Sequence, residues 1–168
     1  MSPQNIILTT PRLRLRCFQP QDASGFFRMN QSADVGHFTG DSPFESVEAA
    51  TSFLKNYSYQ FLPDCPLPIG RYAMIERSRD NFVGFCGPKL HSGGVIDLGY
   101  RVSPAYRSLG YATEAAQAVL SLLRDRHGLR PILRIYPENI ASIRVAEKLG
   151  MKFLEEDERE GRVWMIFR

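Results

Sequence analysis

Leu13, Leu15 and Cys17 alternate with Arg12, Arg14 and Arg16, and that period of two predicts a strand with one buried face. The rhythm then changes. Pro20-Gln-Asp22 has the make-up of a helix start, and Phe26, Phe27 and Met29 follow at helical spacing. A second helix is expected to open at Asp41-Ser-Pro-Phe-Glu45, where a capping side chain, an early proline and a first-turn acid stand together. It would carry Val47, Ala50, Phe53 and Leu54 inward. Leu62-Pro-Asp-Cys-Pro-Leu-Pro68 reads as a loop, because each of its prolines lacks an amide donor. Strands are expected at about 70–76, 81–87 and 95–102, the first pair joined by Ser78-Arg-Asp-Asn81. A third helix should run from about Gly110 to Arg126, and a short strand from Ile132 to Tyr136. The fourth helix, Asn139 to Leu149, is closed by Gly150. Two last strands, about 151–158 and 162–167, meet at Glu160-Gly161. This order predicts an α/β (α+β) fold with a mixed central sheet of about seven strands and about four flanking helices. Pairing is parallel where a helix crosses over and antiparallel in the hairpins.

The 168 residues suit one domain, taken as 1–168. A chain of this length buries about 70% of its unfolded surface, enough for a core without disulfides or metal. At 43% hydrophobic and 23% charged, the composition argues against disorder, collagen and coiled coil. The net charge of +3 is mild and forms no stripe, so nucleic acid is not expected as the principal ligand. No apolar run approaches the roughly 18 residues of a membrane span. The first ten residues lack a basic segment, and a signal peptide is not expected. Cys17, Cys65 and Cys86 are odd in number and widely spaced, which fits reduced thiols in a cytoplasmic protein. His37, His91 and His127 are far apart as well, and no metal is expected. Monomer and homodimer remain equally open.

The most informative segment runs from Asp97 to Ala115. A strand ends near Val102, Pro104 stops its ladder, and a short loop with Gly110 leads into an alanine-rich helix. The first amides of such a helix lack partners, and its dipole adds partial positive charge, so phosphate is a natural guest. Gly110 permits close backbone approach, and Arg107 can add a charge-assisted contact. Plain turn chemistry is the alternative. Neither a Walker loop nor a dinucleotide fingerprint is present.

Val102-x-Pro-x-Tyr-Arg107-x-x-Gly110-x-Ala112 resembles the Arg/Gln-x-x-Gly-x-Gly/Ala signature of the GNAT acyltransferase superfamily. Thr10-Pro-Arg-Leu-Arg-Leu-Arg16 resembles its opening strand, and Val83-Gly-Phe-Cys-Gly87 the strand before the cofactor-binding strand. Pro137-Glu-Asn-Ile-Ala-Ser-Ile-Arg-Val-Ala-Glu-Lys-Leu-Gly-Met151 resembles its second acetyl-CoA motif. The ordered set covers nearly the whole chain and is most similar to the ribosomal-protein N-terminal acetyltransferase (Rim-type) branch. The resemblance implies an acetyl-CoA-dependent N-acetyltransferase acting on a primary amine, a peptide N-terminus or a small molecule, by direct attack in a ternary complex. Acetyl-CoA would lie where the parallel strands ending at Val102 and Tyr136 splay apart. Backbone groups of Tyr100 and Val102 would pair with pantetheine, and Leu109, Gly110, Tyr111, Ala112 and Thr113 would hold the pyrophosphate beside Arg107. Asn139 matches the family's motif asparagine, and a helix N-cap is its other role.

Amide formation from a thioester needs a proton acceptor for the amine, a donor for the oxyanion and a proton for the thiolate. The resemblance assigns the oxyanion to the amide near Val102. Its usual tyrosine acid, seven residues after the asparagine, is replaced by Ala146, and the Rim-type serine falls on Ser142. Ser142 also suits a hydroxyl bonded to its own backbone. Asp97, on the strand face shared with Gly99 and Arg101, is the first candidate base, its pKa raised by partial burial. A salt bridge to Arg101 or a solvated strand face is the alternative. Glu160 is the second candidate, His91 reads as an exposed loop residue, and Cys86 as core. A non-catalytic acyl-CoA-binding module and a nucleotide binder are the rival functions.

Overall fold

The computed structural model describes residues 6–159 and 161–168. In chain order its elements are β1 (Ile6–Thr9), β2 (Leu13–Arg16), α1 (Ala23–Asn30), α2 (Ala33–Thr39), α3 (Val47–Lys55), β3 (Gln60–Leu62), β4 (Cys65–Ile69), β5 (Tyr72–Glu76), β6 (Phe82–Leu90), β7 (Ile96–Val102), α4 (Tyr111–Ser121), β8 (Leu133–Ile135), α5 (Ile140–Lys148), β9 (Phe153–Arg159) and β10 (Arg162–Phe167). An antiparallel sheet runs β1-β2-β5-β6-β7, a second runs β8-β10-β9, and β3-β4 form a hairpin of their own. The mixed α/β architecture is as expected. Its ten described strands lie in three sheets instead of about seven in one, with five α-helices.

The alternating leucines of β2 explain the first layer. Leu13 and Leu15 are fully buried, and they meet α4 through Ala115, Ala116, Val119 and Leu120. Small residues on α4 let the helix lie close to the sheet. On the opposite face α1 and α3 bury Ala23, Phe26, Met29, Ala50 and Leu54 against Phe82 and Phe85. The arginines of β2 do not all face water. Arg16 makes a two-pronged pair with buried Asp22, both contacts at 2.8 Å. Asp22 also accepts from the Gln19 amide at 2.8 Å, which sets the turn into α1.

Two sequence expectations are corrected, and one helix, α2, was not expected. The second helix begins at Val47, where Ser46 Oγ accepts from the Ala49 amide at 3.1 Å; the Asp41 carboxylate is engaged by Arg101 instead of capping. The proline-rich stretch is the β3-β4 hairpin, turning at Pro63-Asp64. A two-stranded ribbon has a free edge on each strand, where missing amide donors cost little. Finally, α2 buries Val35 alone, too little to print a helical period.

Candidate active site

The site begins where two parallel strands part. Leu98 N donates to Ile132 O at 2.8 Å and Ile132 N to Ile96 O at 2.9 Å, an isolated parallel bridge beside Asp97. Beyond it β8 leaves β7 and pairs with β10, Ile135 opposite Met165 and Leu133 opposite Phe167. Backbone polar groups alternate sides along a strand. Since those of Ile96 and Leu98 face β8, those of Tyr100 and Val102 face the opening wedge. An extended chain with amides of its own can enter there as an added strand.

The near end of the wedge leads to α4. Gly110 is its N-cap at φ +82, a left-handed conformation, and no side chain caps this helix. The leading amides of α4 therefore point outward, toward where an anion would lie. The loop is clamped from behind: Arg12 donates to Leu109 O at 2.9 Å and to Glu114 Oε2 at 2.6 Å. Burial favours the protonated Glu114 carboxyl, but bonds from Thr10 and Arg12 outweigh it and hold its pKa below the ordinary value. Leu109 is exposed, whereas Tyr111 is buried with its hydroxyl on Glu76, leaving only its backbone to a ligand. Ala112 and Thr113 are half-buried in the same first turn. Arg107 does not extend toward the helix end. Its guanidinium is paired with Asp34 of α2 at 2.7 Å and its Nε lies 3.3 Å from Val102 O.

At the far side of the wedge Asn139 caps α5, Oδ1 accepting from the Ser142 amide at 3.1 Å. Tyr100 donates its hydroxyl to Ser142 O at 3.3 Å, and burial raises that phenol's pKa. Ser142 is half-buried on the cavity wall. Ala146 is fully buried in the main core, so a tyrosine there would overpack α5.

The wedge opens into a cavity of about 870 Å³ that Asp97, Tyr100, Asn139 and Ser142 help to line. Asp97 differs from expectation. Its partner is not Arg101, which is bonded to Asn30, Thr39 and Asp41. Asp97 Oδ1 accepts from Arg71 Nη2 at 2.8 Å, Oδ2 lies 2.8 Å from His91 Nε2, and Arg134 Nη1 is 3.7 Å away. Burial alone would raise its pKa, but Arg71 and then His91 overcome it, and the carboxyl is held below the ordinary value. The expected upward shift is thus reversed. Gly99 makes this arrangement possible, because a Cβ there would stand 2.5 Å from the Arg71 guanidinium carbon.

A depressed carboxylate pKa has a consequence for stability. The unfolded chain binds the proton more readily, so the contribution of Asp97 is complete above the ordinary Asp value of 3.8 and is lost as pH falls through the lower folded value. Asp97→Asn should therefore flatten the stability profile below pH 3.8, read by urea denaturation at a series of pH values.

Sequence reasoning took His91 for an exposed loop residue, whereas its ring is half-buried against Asp97, and it missed Arg71, Arg134 and Arg162. For His91 a signal existed. The β6-β7 hairpin pairs Leu90 with Ile96 and Lys89 with Asp97, and His91 N bonds Val95 O at 2.8 Å, so its ring folds back over Asp97. The arginines carry no comparable mark. Glu160 lies outside the described residues. Cys86 is buried, its thiol pushed up to about 12 by burial, which fits a core role. Arg144 and Lys148 are exposed on α5. Among the described residues no group of three or more His, Cys, Asp or Glu is gathered to hold a metal ion, and no helix is long and apolar enough to cross a membrane.

Comparison with known proteins gives the same picture. Over 162 residues the chain is 27% identical to YnaD of Bacillus subtilis, an uncharacterised N-acetyltransferase, covering 94% of this chain and 91% of that protein. The fold superposes on a GNAT-family acetyltransferase from Bacillus anthracis with a TM-score of 0.77, at 23% identity, over 95% and 94% of the two chains. It also superposes on RimL, a ribosomal L7/L12 α-N-protein acetyltransferase solved with coenzyme A, with a TM-score of 0.74 at 14% identity over 96% of each chain. The acetyltransferase (GNAT) domain family matches residues 12–152. A splayed strand pair, an uncapped glycine-led helix and a match of that extent leave one assignment: the chain belongs to the GNAT acetyltransferases, and acetyl-CoA is its acyl donor.

Proposed function

We propose that this enzyme acetylates a primary amine by direct attack in a ternary complex, with His91 as the proton acceptor and Asp97 as the residue that positions it. The carrying observation is that the wedge between β7 and β8 and the His91–Asp97 pair, 2.8 Å apart, border one cavity. With Nε2–H given to Asp97, the other ring nitrogen keeps its lone pair for the incoming amine. Asp97 itself, held by Arg71, is a weak base and a strong anchor. Acetyl-CoA supplies the activated acyl group. The Val102 amide, on the wedge side of β7, is assigned the donor to the thioester oxygen as it gains charge. Tyr100 and Val102 backbone groups and Asn139 align the pantetheine arm, the amides from Leu109 to Thr113 hold the pyrophosphate, and Arg107 joins them only by leaving Asp34.

Ser142 is assigned the proton donor to the leaving thiolate. A thiol leaves more readily than an amine, so Ser142→Ala should lower kcat only about tenfold, below the usual range for general acids, with the acetyl-CoA Kd unchanged. Steady-state rates where chemistry limits turnover check this, and a wild-type kcat would remove Ser142 from the reaction. The reading as a whole is tested by free-thiol release from acetyl-CoA with a panel of amines. Binding of acetyl-CoA without thiol release for any amine would identify an acyl-CoA-binding module instead. A thermal shift larger with ATP than with acetyl-CoA would favour a nucleotide binder.

A further inference from the structure

The acceptor side of the cavity is built for a negative charge. Six cationic side chains line it, Arg71, Lys89, Arg101, Arg134, Arg159 and Arg162, against the carboxylates of Asp41 and Asp97. Asp157, behind Arg134 and Arg159, is a third carboxylate, which still leaves a surplus of three positive charges. The residues proposed to hold the acyl donor's phosphates, 107–113, are absent from this cavity's lining. The cationic groups stand on the strand face opposite α4, with Asp97.

Two of the arginines are incompletely satisfied. Arg134 lies between two carboxylates without closing on either, 3.7 Å from Asp97 and 3.6 Å from Asp157. Its Nε is buried without a hydrogen-bond partner. A buried donor left without a partner is destabilising, and an arriving anion would recover that loss. Arg162 has no carboxylate within ion-pair distance among the described residues. Its guanidinium stacks over Tyr136 at 4.5 Å and Trp164 at 5.4 Å while donating to His37 O. Stacking fixes the plane of the fork and leaves its remaining donors for a planar anion. Phe26, Phe44, Phe53 and Phe85 add apolar surface beside this cationic wall, with the Arg101 guanidinium over the Phe85 ring.

Resting on the acetyl-transfer reading above, we infer that the acceptor is a primary amine with a carboxylate a few bonds from its nitrogen, read by Arg134 and Arg162 while His91 takes the amine's proton. Polyamines and lysine-rich peptides are repelled by the same wall.

The test is thiol release with matched acceptors corrected for the ionisation of each amine. L-Phenylalanine against L-phenylalaninamide probes a free amino acid, and Asp-Ala-Ala-amide against Asn-Ala-Ala-amide probes a peptide N-terminus. In at least one pair the anionic member should be favoured by tenfold or more in kcat/KM, and that pair identifies the source. Spermidine should be the poorest acceptor. Arg162→Gln should bring the ratio toward one, and Arg162→Lys should restore part of it, with the acetyl-CoA Kd unmoved in both. Equal or better rates with the neutral members or spermidine would overturn the inference. Should no acceptor release thiol, the transfer reading fails, and titration of CoA-loaded protein decides the inference separately. N-acetyl-phenylalanine or N-acetyl-Asp-Ala-Ala-amide binding tenfold tighter than its neutral partner upholds it, and equal binding sinks it.

Discussion

Asp97→Asn is expected to lower kcat by a hundredfold or more while acetyl-CoA binds as before. The carboxylate does two things that an amide cannot. It accepts from His91 and so fixes which ring nitrogen keeps the lone pair, and it neutralises Arg71 and Arg134 beside the reacting amine. An asparagine can turn its NH2 toward His91, which reverses the tautomer and removes the free lone pair. General-base catalysis contributes about a hundredfold to ten-thousandfold, and losing the base's orientation forfeits much of it. His91→Gln should give a similar loss and erase the acidic limb of the pH–rate profile. The double variant should be no worse than the worse single one, because the two residues act as a unit. A multiplied loss in the double variant, or an unaltered pH profile in His91→Gln, would separate the two residues. Calorimetric titration with acetyl-CoA confirms that each variant is folded and binds.

The two halves of the site differ in how far they can be read from sequence, for a physical reason. The donor half is made of backbone. Gly110 in a strand-to-helix loop, Asn139 at a helix start and the alternation of Tyr100 with Val102 are local patterns, and local patterns are printed in the chain. The proposed acceptor half is made of side chains from distant segments. Arg71 enters from the link between β4 and β5, Arg134 from β8 and Arg162 from β10, and only the sheet order brings them together. Asp97 shows the limit most clearly. Alternation placed it on the correct face, yet its protonation depends on Arg71, 26 positions away, whose guanidinium lies across Gly99. In the fold, long periodic elements were legible, whereas α2 and the proline hairpin were not. The first hides too little apolar surface, and the second replaces strand-forming residues by prolines that only a free edge tolerates.

The donor half also explains why Arg107 can wait on Asp34. In the proposed reading the charge that first meets the pyrophosphate is the helix end itself, held open by one residue. Gly110 sits at φ +82, where a side chain is strained, and its missing Cβ would point within 3.4 Å of the Arg12 guanidinium that ties Leu109 and Glu114 in place. Gly110→Val adds a β-branched side chain at both faults at once. The loop must either leave the left-handed region, which turns the Tyr111 and Ala112 amides away from the anion, or keep it and crowd the clamp. Either route removes the donors that make this helix end an anion site. Acetyl-CoA affinity should fall more than a hundredfold, about 2.7 kcal/mol, with the circular dichroism spectrum retained, because the loop lies outside the core. Gly110→Ala, which brings the strain without the branch, should fall between the two. Calorimetric titration measures all three proteins. Wild-type affinity in a folded Gly110→Val variant would mean that the pyrophosphate is held elsewhere, and Arg107, freed from Asp34, would then be the next residue to remove.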